Sequence, residues 1–341
     1  MIGIVNIRDI AKRAGVSVAT VSHVINRTRF VSEELIERVE KAMADMDYQP
    51  NLLAGSLRKK KTGTIGLIIP DSSNTLFAKI SKNIEDILFL QNYNLIVCNS
   101  AYDIDREVEY LKTLRSKMVD GILIVPVTFK SEHLERIKKV GIPIVILDRS
   151  IPDINMDTIL IDNFKSGYNA AKYLTSLGHK NVGYIDRIYD HSHSLDRKNG
   201  FIKAMKEEGL YLDEKNIVRG GFTFDDGVRA VKELMVRDPK ITAIFSFNDI
   251  NALGAMRGLA DLGLKIPEDI SVMGNDDMPF SSIYVPSLTT IHYPTAEMAS
   301  KASNLLLKRI AKPNFKKTKK IVIPTELIIR CLLYTSDAAD E

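Results

Sequence analysis

The sequence predicts an all-α helix-turn-helix head followed by an α/β core of two similar lobes. Three observations carry that prediction. Asn6 to Asn26 reads as two short helices about a glycine turn; from Thr64 onward, buried-strand runs alternate with amphipathic helical stretches; and the alternation restarts near Asp162. The expected division is a head over 1–50, a hinge helix and linker over 51–63, and a core over 64–330. Within the core, one lobe is expected to combine about 64–160 with 290–320, the other 161–289 with 321–330.

In the head, Asn6 is a cap and Asp9 lies in the first turn, where negative charge complements the helix dipole. Ile7, Ile10, Ala11 and Ala14 form one helical stripe. Gly15 supplies a turn in which a Cβ would be strained. Ser17 caps the second helix, whose inner side is read as Val18, Val21, Val24 and Ile25. Two small helices across a glycine turn make a unit that presents side chains to a DNA major groove and carries no chemistry of its own. A third helix follows, capped by Ser32 and stapled by Val31 on Ile36. Its inward face is Leu35, Val39, Ala42, Met43 and Met46, and Tyr48-Gln49-Pro50-Asn51 ends it.

Charge agrees with that reading. Residues 1–61 hold 11 Lys and Arg against 7 Asp and Glu, so the whole net charge of +4 sits there and the rest of the chain is neutral. A cationic head is the electrostatic footprint of phosphate contact.

Several classes are disfavoured. No apolar run approaches the ~18 residues of a membrane span, and no charged-then-apolar leader opens the chain, so a cytoplasmic location is expected. Cys98 and Cys331 make no disulfide framework, and Cys98, ending Leu95-Ile96-Val97, reads as a core residue. His191-Ser192-His193 lacks the companions of a metal site. No glycine-rich phosphate loop follows the first strand. Asp276-Asp277 has no general-acid partner, so ligand binding by Asp276 is preferred to catalysis. No cofactor and no enzymatic activity are expected.

In the core, strands are read at Ile65–Pro70, Leu95–Cys98, Gly121–Val125, Ile144–Leu147, Thr158–Ile161, Val182–Ile185, Ala243–Phe247 and Ile270–Met273. Helices lie between, at Phe77–Leu90, Arg106–Lys117, Ser131–Val140, Ser166–Leu177 and Leu195–Glu208. Alternation of this kind argues for parallel sheets covered by helices on both faces, with a ligand outside the strands' carboxyl ends, in the cleft between lobes.

Together these features resemble the LacI/GalR family of sugar-responsive transcription regulators, over about Asn6 to Arg330. The motifs are V-S-V-A-T-V-S at 16–22, Y-Q-P-N at 48–51, A-G-S-L-R at 54–58, G-L-I-I-P-D at 66–71, V-D-G-I-L at 119–123, L-G-H at 177–179, N-D-I-N-A-L-G at 248–254, I-P-E-D-I-S-V at 266–272 and L-T-T-I at 288–291. The head is most similar to the family's ribose and purine repressors, which share a His at the position of His23. The resemblance implies a core of the periplasmic-binding-protein-like type I fold and a homodimer on a near-palindromic DNA operator. It implies a small-molecule effector, a sugar, that controls operator affinity. A purine-type, corepressor-dependent repressor is the alternative. A periplasmic sugar-binding protein would lack residues 1–61.

By the same resemblance Val18, Ala19 and His23 face base edges, Ser17, Thr20, Ser22 and Asn26 hold phosphates, and Arg27 belongs to the DNA-binding surface. Val18 and Ala19 read only shape and thymine methyls, whereas His23 suits guanine. Leu52 to Leu57 resembles a hinge helix, too short to stand alone in water, with Asn51 as its cap, Ala54 on the DNA side and Leu57 wedged into the minor groove. Gly55 stands where Arg or Gln is usual, which predicts a looser hinge. In the cleft the resemblance points to Asn74, Leu76, Phe77, Asp148, Arg149, Arg197, Asn248 and Asp276. Carboxylates, amides and guanidinium groups suit sugar hydroxyls. Leu76, Asn275 and Tyr293 depart from the sugar binders, which keeps the effector's identity open, as it does inducer against corepressor. No heptad run marks a tetramer, so a dimer is expected. The ending C-L-L-Y-T-S-D-A-A-D-E at 331–341 is unlike the family and is read as non-native.

Overall fold

The structure, a computed structural model, describes residues 5–48, 61–128, 137, 139–149, 155–187, 192–312 and 317–331. Two compact units result, Met1–Thr62 and Gly63–Glu341.

The first unit contains α1 (Ile7–Ala14), α2 (Val18–Asn26) and α3 (Glu33–Asp45). Asn6 Oδ1 accepts from the Arg8 amide at 2.9 Å, and Asp9 Oδ2 accepts from the Asn6 amide at 2.9 Å, closing a capping box. Gly15 ends α1 at φ 66°. A Cβ there would meet the Arg38 guanidinium at 2.7 Å. That guanidinium donates to the carbonyls of Ala14 (2.7 Å) and Gly15 (3.3 Å), so α3 itself satisfies the end of α1. Ile10, Ala11, Ala14, Val21, Val39 and Ala42 form the small core. Each large aliphatic among them contributes about 1.5–3 kcal/mol by burial. Ser32 holds the cap position of α3, but its side chain makes no capping hydrogen bond.

The second unit is built of two six-stranded sheets. The first contains β1 (Thr64–Ile69), β2 (Asn94–Asn99), β3 (Gly121–Ile124), β4 (Ile144–Leu147) and β5 (Asp157–Ile161), with β11 (Lys320–Ile323) at its edge, in the order β11-β5-β4-β3-β1-β2. The second contains β6 (Val182–Asp186), β7 (Ile217–Arg219), β8 (Ala243–Ser246), β9 (Ser271–Asp276) and β10 (Thr289–His292), with β12 (Glu326–Ile328) at its edge, in the order β12-β10-β9-β8-β6-β7. All pairs are parallel except β10 with β12. Counted within each lobe, both sheets follow the order 5-4-3-1-2, the topological form of the restart seen near Asp162.

Helices cover both faces of each sheet. In the first lobe, α4 (Thr75–Phe89) and α11 (Thr295–Ala311) pack on one face and α5 (Ile104–Ser116) on the other. In the second, α8 (Phe224–Arg237) and α9 (Asp249–Asp261) oppose α6 (Asn163–Ser176) and α7 (Ser192–Glu207), and the short α10 (Pro279–Ile283) lies beyond β9. The expected helix at Ser131–Val140 falls almost wholly outside the described residues.

The exchange points between lobes differ from expectation. The strand expected to open the second lobe's last segment at residue 321 belongs to the first sheet, and 289–292, placed largely in the first lobe, belongs to the second. The segment 321–330, expected whole in the second lobe, supplies strands to both sheets. Pro324 explains the split: it lacks the amide that a continuing ladder needs.

One close approach sets the cleft wall of the second lobe. A Cβ on Gly167 would lie 1.8 Å from the Arg197 carbonyl oxygen, and one on Gly200 would lie 1.9 Å from that of Phe164. The backbones of α6 and α7 therefore touch, and Arg197 is carried to the carboxyl end of β8, where it donates to the Phe247 carbonyl.

Candidate functional site

On the head, Ser17, Val18, Ala19 and Arg27 are exposed, while Thr20, Ser22, His23 and Asn26 are half-buried. Val18 is corrected from the inner side of α2: it is 42% exposed, at the first helical position, before the helix turns toward α1. Val21 is the fully buried member, with Val24 and Ile25 packed beside it. Ser17 Oγ caps α2, accepting from the Thr20 amide at 3.0 Å and lying 2.9 Å from the Thr20 hydroxyl. Asn26 Nδ2 donates to the Ser22 carbonyl at 2.9 Å. His23 Nδ1 sits 2.8 Å from Thr28 Oγ1, which fixes the ring and leaves Nε2 for an outside partner. Asn51, Ala54, Gly55 and Leu57 lie outside the described residues.

In the core, Asn74, Leu76, Phe77, Asp148, Arg197, Asn248 and Asp276 line one cavity between the lobes. Topology places them there. Asn74 follows β1 and caps α4, accepting from the Leu76 amide at 2.9 Å. Asp148 directly follows β4, and Asp276 ends β9. Asn248 follows β8 and caps α9, accepting from the Asn251 amide at 2.8 Å. Carboxyl ends of parallel strands thus converge from both sheets. Tyr102, Arg187, Ser194, Phe222, Phe247 and Tyr293 complete the lining. Except for Ser194, these lie just past strand ends, and Asp186-Arg187 after β6 repeats the Asp148-Arg149 pattern; that strand-end position was the available signal.

Arg149 does not line the cavity. It is 1% exposed, inside the first lobe, within electrostatic reach of Asp148, Tyr102 and Glu107. Its buried charge lies near Asp148 and favours that carboxylate's ionised form.

Electrostatics mark the cavity strongly. Burial raises the Asp148 carboxyl above its ordinary value, although the Tyr293 hydroxyl donates to it at 2.6 Å. Asp276 is raised well above 3.8 by burial and by the neighbouring Asp249 carboxylate, while Asn275 Nδ2 donates to it at 2.8 Å. Burial lowers Arg187 to about 10, helped by the nearby Arg149 charge. Arg197 donates to Asn163 Oδ1 at 2.6 Å and to the Phe247 carbonyl. Backbone strain gathers here too: Ala101, Tyr102, Asp148, Asp276 and Asp277 all have positive φ. Such conformations cost about 1–3 kcal/mol each and persist where surrounding structure holds them. The result is a ring of acceptors and cationic donors around aromatic faces, chemistry that fits a compact polar ring.

Comparison with known proteins agrees with both units. Residues 6–51 match the family described as "Bacterial regulatory proteins, lacI family", and residues 62–331 match "Periplasmic binding proteins and sugar binding domain of LacI family". The chain is 37% identical over 327 residues to the HTH-type transcriptional repressor PurR of Pasteurella multocida, covering 95% of this chain and 97% of that protein. A LacI family transcriptional regulator from Enterococcus faecium, solved with bound ribose, is 32% identical with a TM-score of 0.73, over 80% of this chain and 99% of that one. The lac repressor dimer bound to operator and an anti-inducer shares the fold at a TM-score of 0.88 and 24% identity, over 97% of this chain and 100% of that one. With a helix-turn-helix head, a two-lobed parallel α/β core and family matches spanning both, this chain belongs to the LacI family of bacterial transcriptional regulators.

Proposed function

We propose that this regulator is a homodimeric, cytoplasmic repressor that binds a near-palindromic operator through its head and a sugar through the cavity between its lobes, without turning the sugar over. The observation that carries the effector half is the convergence of Asp148, Asp276, Asn74, Asn248 and Arg197 on one cavity. Carboxylates and amide oxygens accept from hydroxyls, amide and guanidinium groups donate to them, and Phe77 offers a face to the ring's C–H side. On the head, Val18, Ala19 and His23 read base edges, and Ser17, Thr20, Ser22, Asn26 and Arg27 hold the backbone. Asn51, Ala54 and Leu57 contribute the hinge contacts. In the dimer, two heads read two half-sites.

A purine base is the second reading. It is favoured by the aromatic surfaces of Phe222, Phe247 and Tyr102 beside Arg187 and by relatives that are PurR repressors. A thermal-shift screen of sugars and purine bases separates the two, and a mobility shift on candidate operator DNA with each hit then connects cavity to head. Stabilisation by a sugar that also changes operator retention supports the first reading. Stabilisation by purine bases alone replaces it with the second.

A further inference from the structure

Tyr102 and Phe222 face each other across the cleft. Tyr102 lies between β2 and α5 in the first lobe, and Phe222 between β7 and α8 in the second. Their rings stack with centroids 4.7 Å apart and planes 18° from parallel. The Arg187 guanidinium lies 4.7 Å from the Phe222 centroid and 5.8 Å from that of Tyr102. All three side chains line the cavity. Both lobes therefore meet over the ligand space through an aromatic pair backed by a cation.

The approach to Tyr102 is built for this contact. Ala101 and Tyr102 both hold positive φ, at 52° and 58°. A β-carbon makes that conformation costly, and two in succession are rarer still. The Asn99 side chain holds the turn, accepting from the Ala101 amide at 3.1 Å. The Ser100 amide donates to the Ile69 carbonyl at 2.9 Å, tying the turn to β1. A relaxed turn would not need this conformation; here it carries the Tyr102 ring onto the opposite lobe.

Resting on the effector-site reading above, we infer that Tyr102 is a specificity-determining residue that closes the cleft against Phe222 and sets the upper size of the effector. The pair lines the same cavity as Asp148, Asp276 and Arg197. An unextended ligand, a free monosaccharide or base, is held among those polar groups and leaves the rings stacked. The same group carrying a second sugar, as in a disaccharide or nucleoside, must separate the rings. The pair therefore selects unextended ligands by excluding extended ones.

Two measurements on the full chain test this. The chain contains no tryptophan, so Phe222→Trp introduces a sole tryptophan against Tyr102, excited selectively at about 295 nm. Acrylamide should quench it at least twofold more efficiently when Tyr102→Ala is added, and Tyr102→Phe should preserve the shielding. Equal quenching in all three overturns the gate while leaving the cavity as effector site intact. Second, wild type, Tyr102→Ala and Tyr102→Phe are titrated calorimetrically with ribose, glucose, hypoxanthine, cellobiose and inosine. The expected result is binding of an unextended probe by wild type, with its extended counterpart at least tenfold weaker. That ratio should fall at least fivefold in Tyr102→Ala and persist in Tyr102→Phe. Equal binding of both sizes by wild type, or an unchanged ratio in Tyr102→Ala, overturns the size limit. No binding of any probe by any of the three proteins contradicts the effector-site reading and the size limit with it.

Discussion

The hydroxyl of Tyr293 donates to Asp148 at 2.6 Å, joining the segment that crosses between the lobes to the carboxylate at the end of β4. Tyr293 immediately follows β10, and its amide donates to the Asp276 carbonyl at 3.2 Å. One residue thus touches both buried carboxyl positions of the cavity, one through its side chain and one through its backbone. Loss of a hydrogen bond to a buried charged group costs about 1.5–3 kcal/mol. Tyr293→Phe should weaken effector binding about tenfold and lower the melting temperature by a few degrees. Calorimetric titration with the effector found by screening, beside a thermal melt, measures both; unchanged affinity would remove Tyr293 from the site.

On the head, Thr28 holds His23 by a 2.8 Å contact to Nδ1. His23→Ala should reduce operator affinity by about 1–3 kcal/mol and relax discrimination at one base position per half-site. Thr28→Val should act in the same direction with smaller effect, because the ring remains but loses its orientation. Competition binding against operators varied one base at a time distinguishes this from phosphate contact, which would weaken all sequences equally.

Close backbone contact between α6 and α7 positions Arg197. Because a Cβ on Gly167 would lie 1.8 Å from the Arg197 carbonyl oxygen, Gly167→Ala must push the helices apart. The cost should be about 1–3 kcal/mol of stability, as for other overpacked cores, with effector affinity falling by more than stability explains. Denaturant unfolding and effector titration on the same variant test the pairing. Wild-type effector affinity would show that Arg197 does not need its present position.

Acid should weaken effector binding. Burial raises Asp148 and Asp276 above the ordinary carboxylate value of 3.8, so in the folded protein they protonate at higher pH than in the unfolded chain. As pH rises from 3.8 through those raised values, the folded state holds the extra protons and these two groups lose stability with pH. Asp277 behaves oppositely. Its burial is outweighed by hydrogen bonds from Arg330 and His292, so its stabilisation is present above 3.8 and lost as pH falls below it. A hydroxyl-donating effector needs the ionised form of Asp148 and Asp276. Its affinity should rise with pH through their raised range, with proton release on binding. Titrations in buffers of different ionisation heat detect those protons; a pH-independent affinity contradicts hydroxyl donation to these carboxylates.

Much of this was legible in the chain because it rests on local rules. The Asn6 and Ser17 caps, the Gly15 turn and the buried strands β1, β3 and β4 follow from side-chain type and period. Seven cavity-lining positions, from Asn74 to Asp276, were legible in family motifs that mark strand ends. Less legible was anything decided by facing direction or long-range pairing. Arg149, buried beside Asp148, is not among the residues that line the cavity. Strands β11 and β12 divided between sheets, although 321–330 is expected within one lobe. Tyr102 and Phe222, far apart in sequence, meet only because two separately folded lobes close on each other.

The central claim is that one ligand site and one DNA site share a free energy. Effector affinity measured by calorimetry on the full-length protein, with and without saturating operator DNA, tests it most directly. The account predicts affinities differing at least fivefold, with operator affinity changed by the same factor when effector is added. Identical effector affinities with and without operator would contradict it.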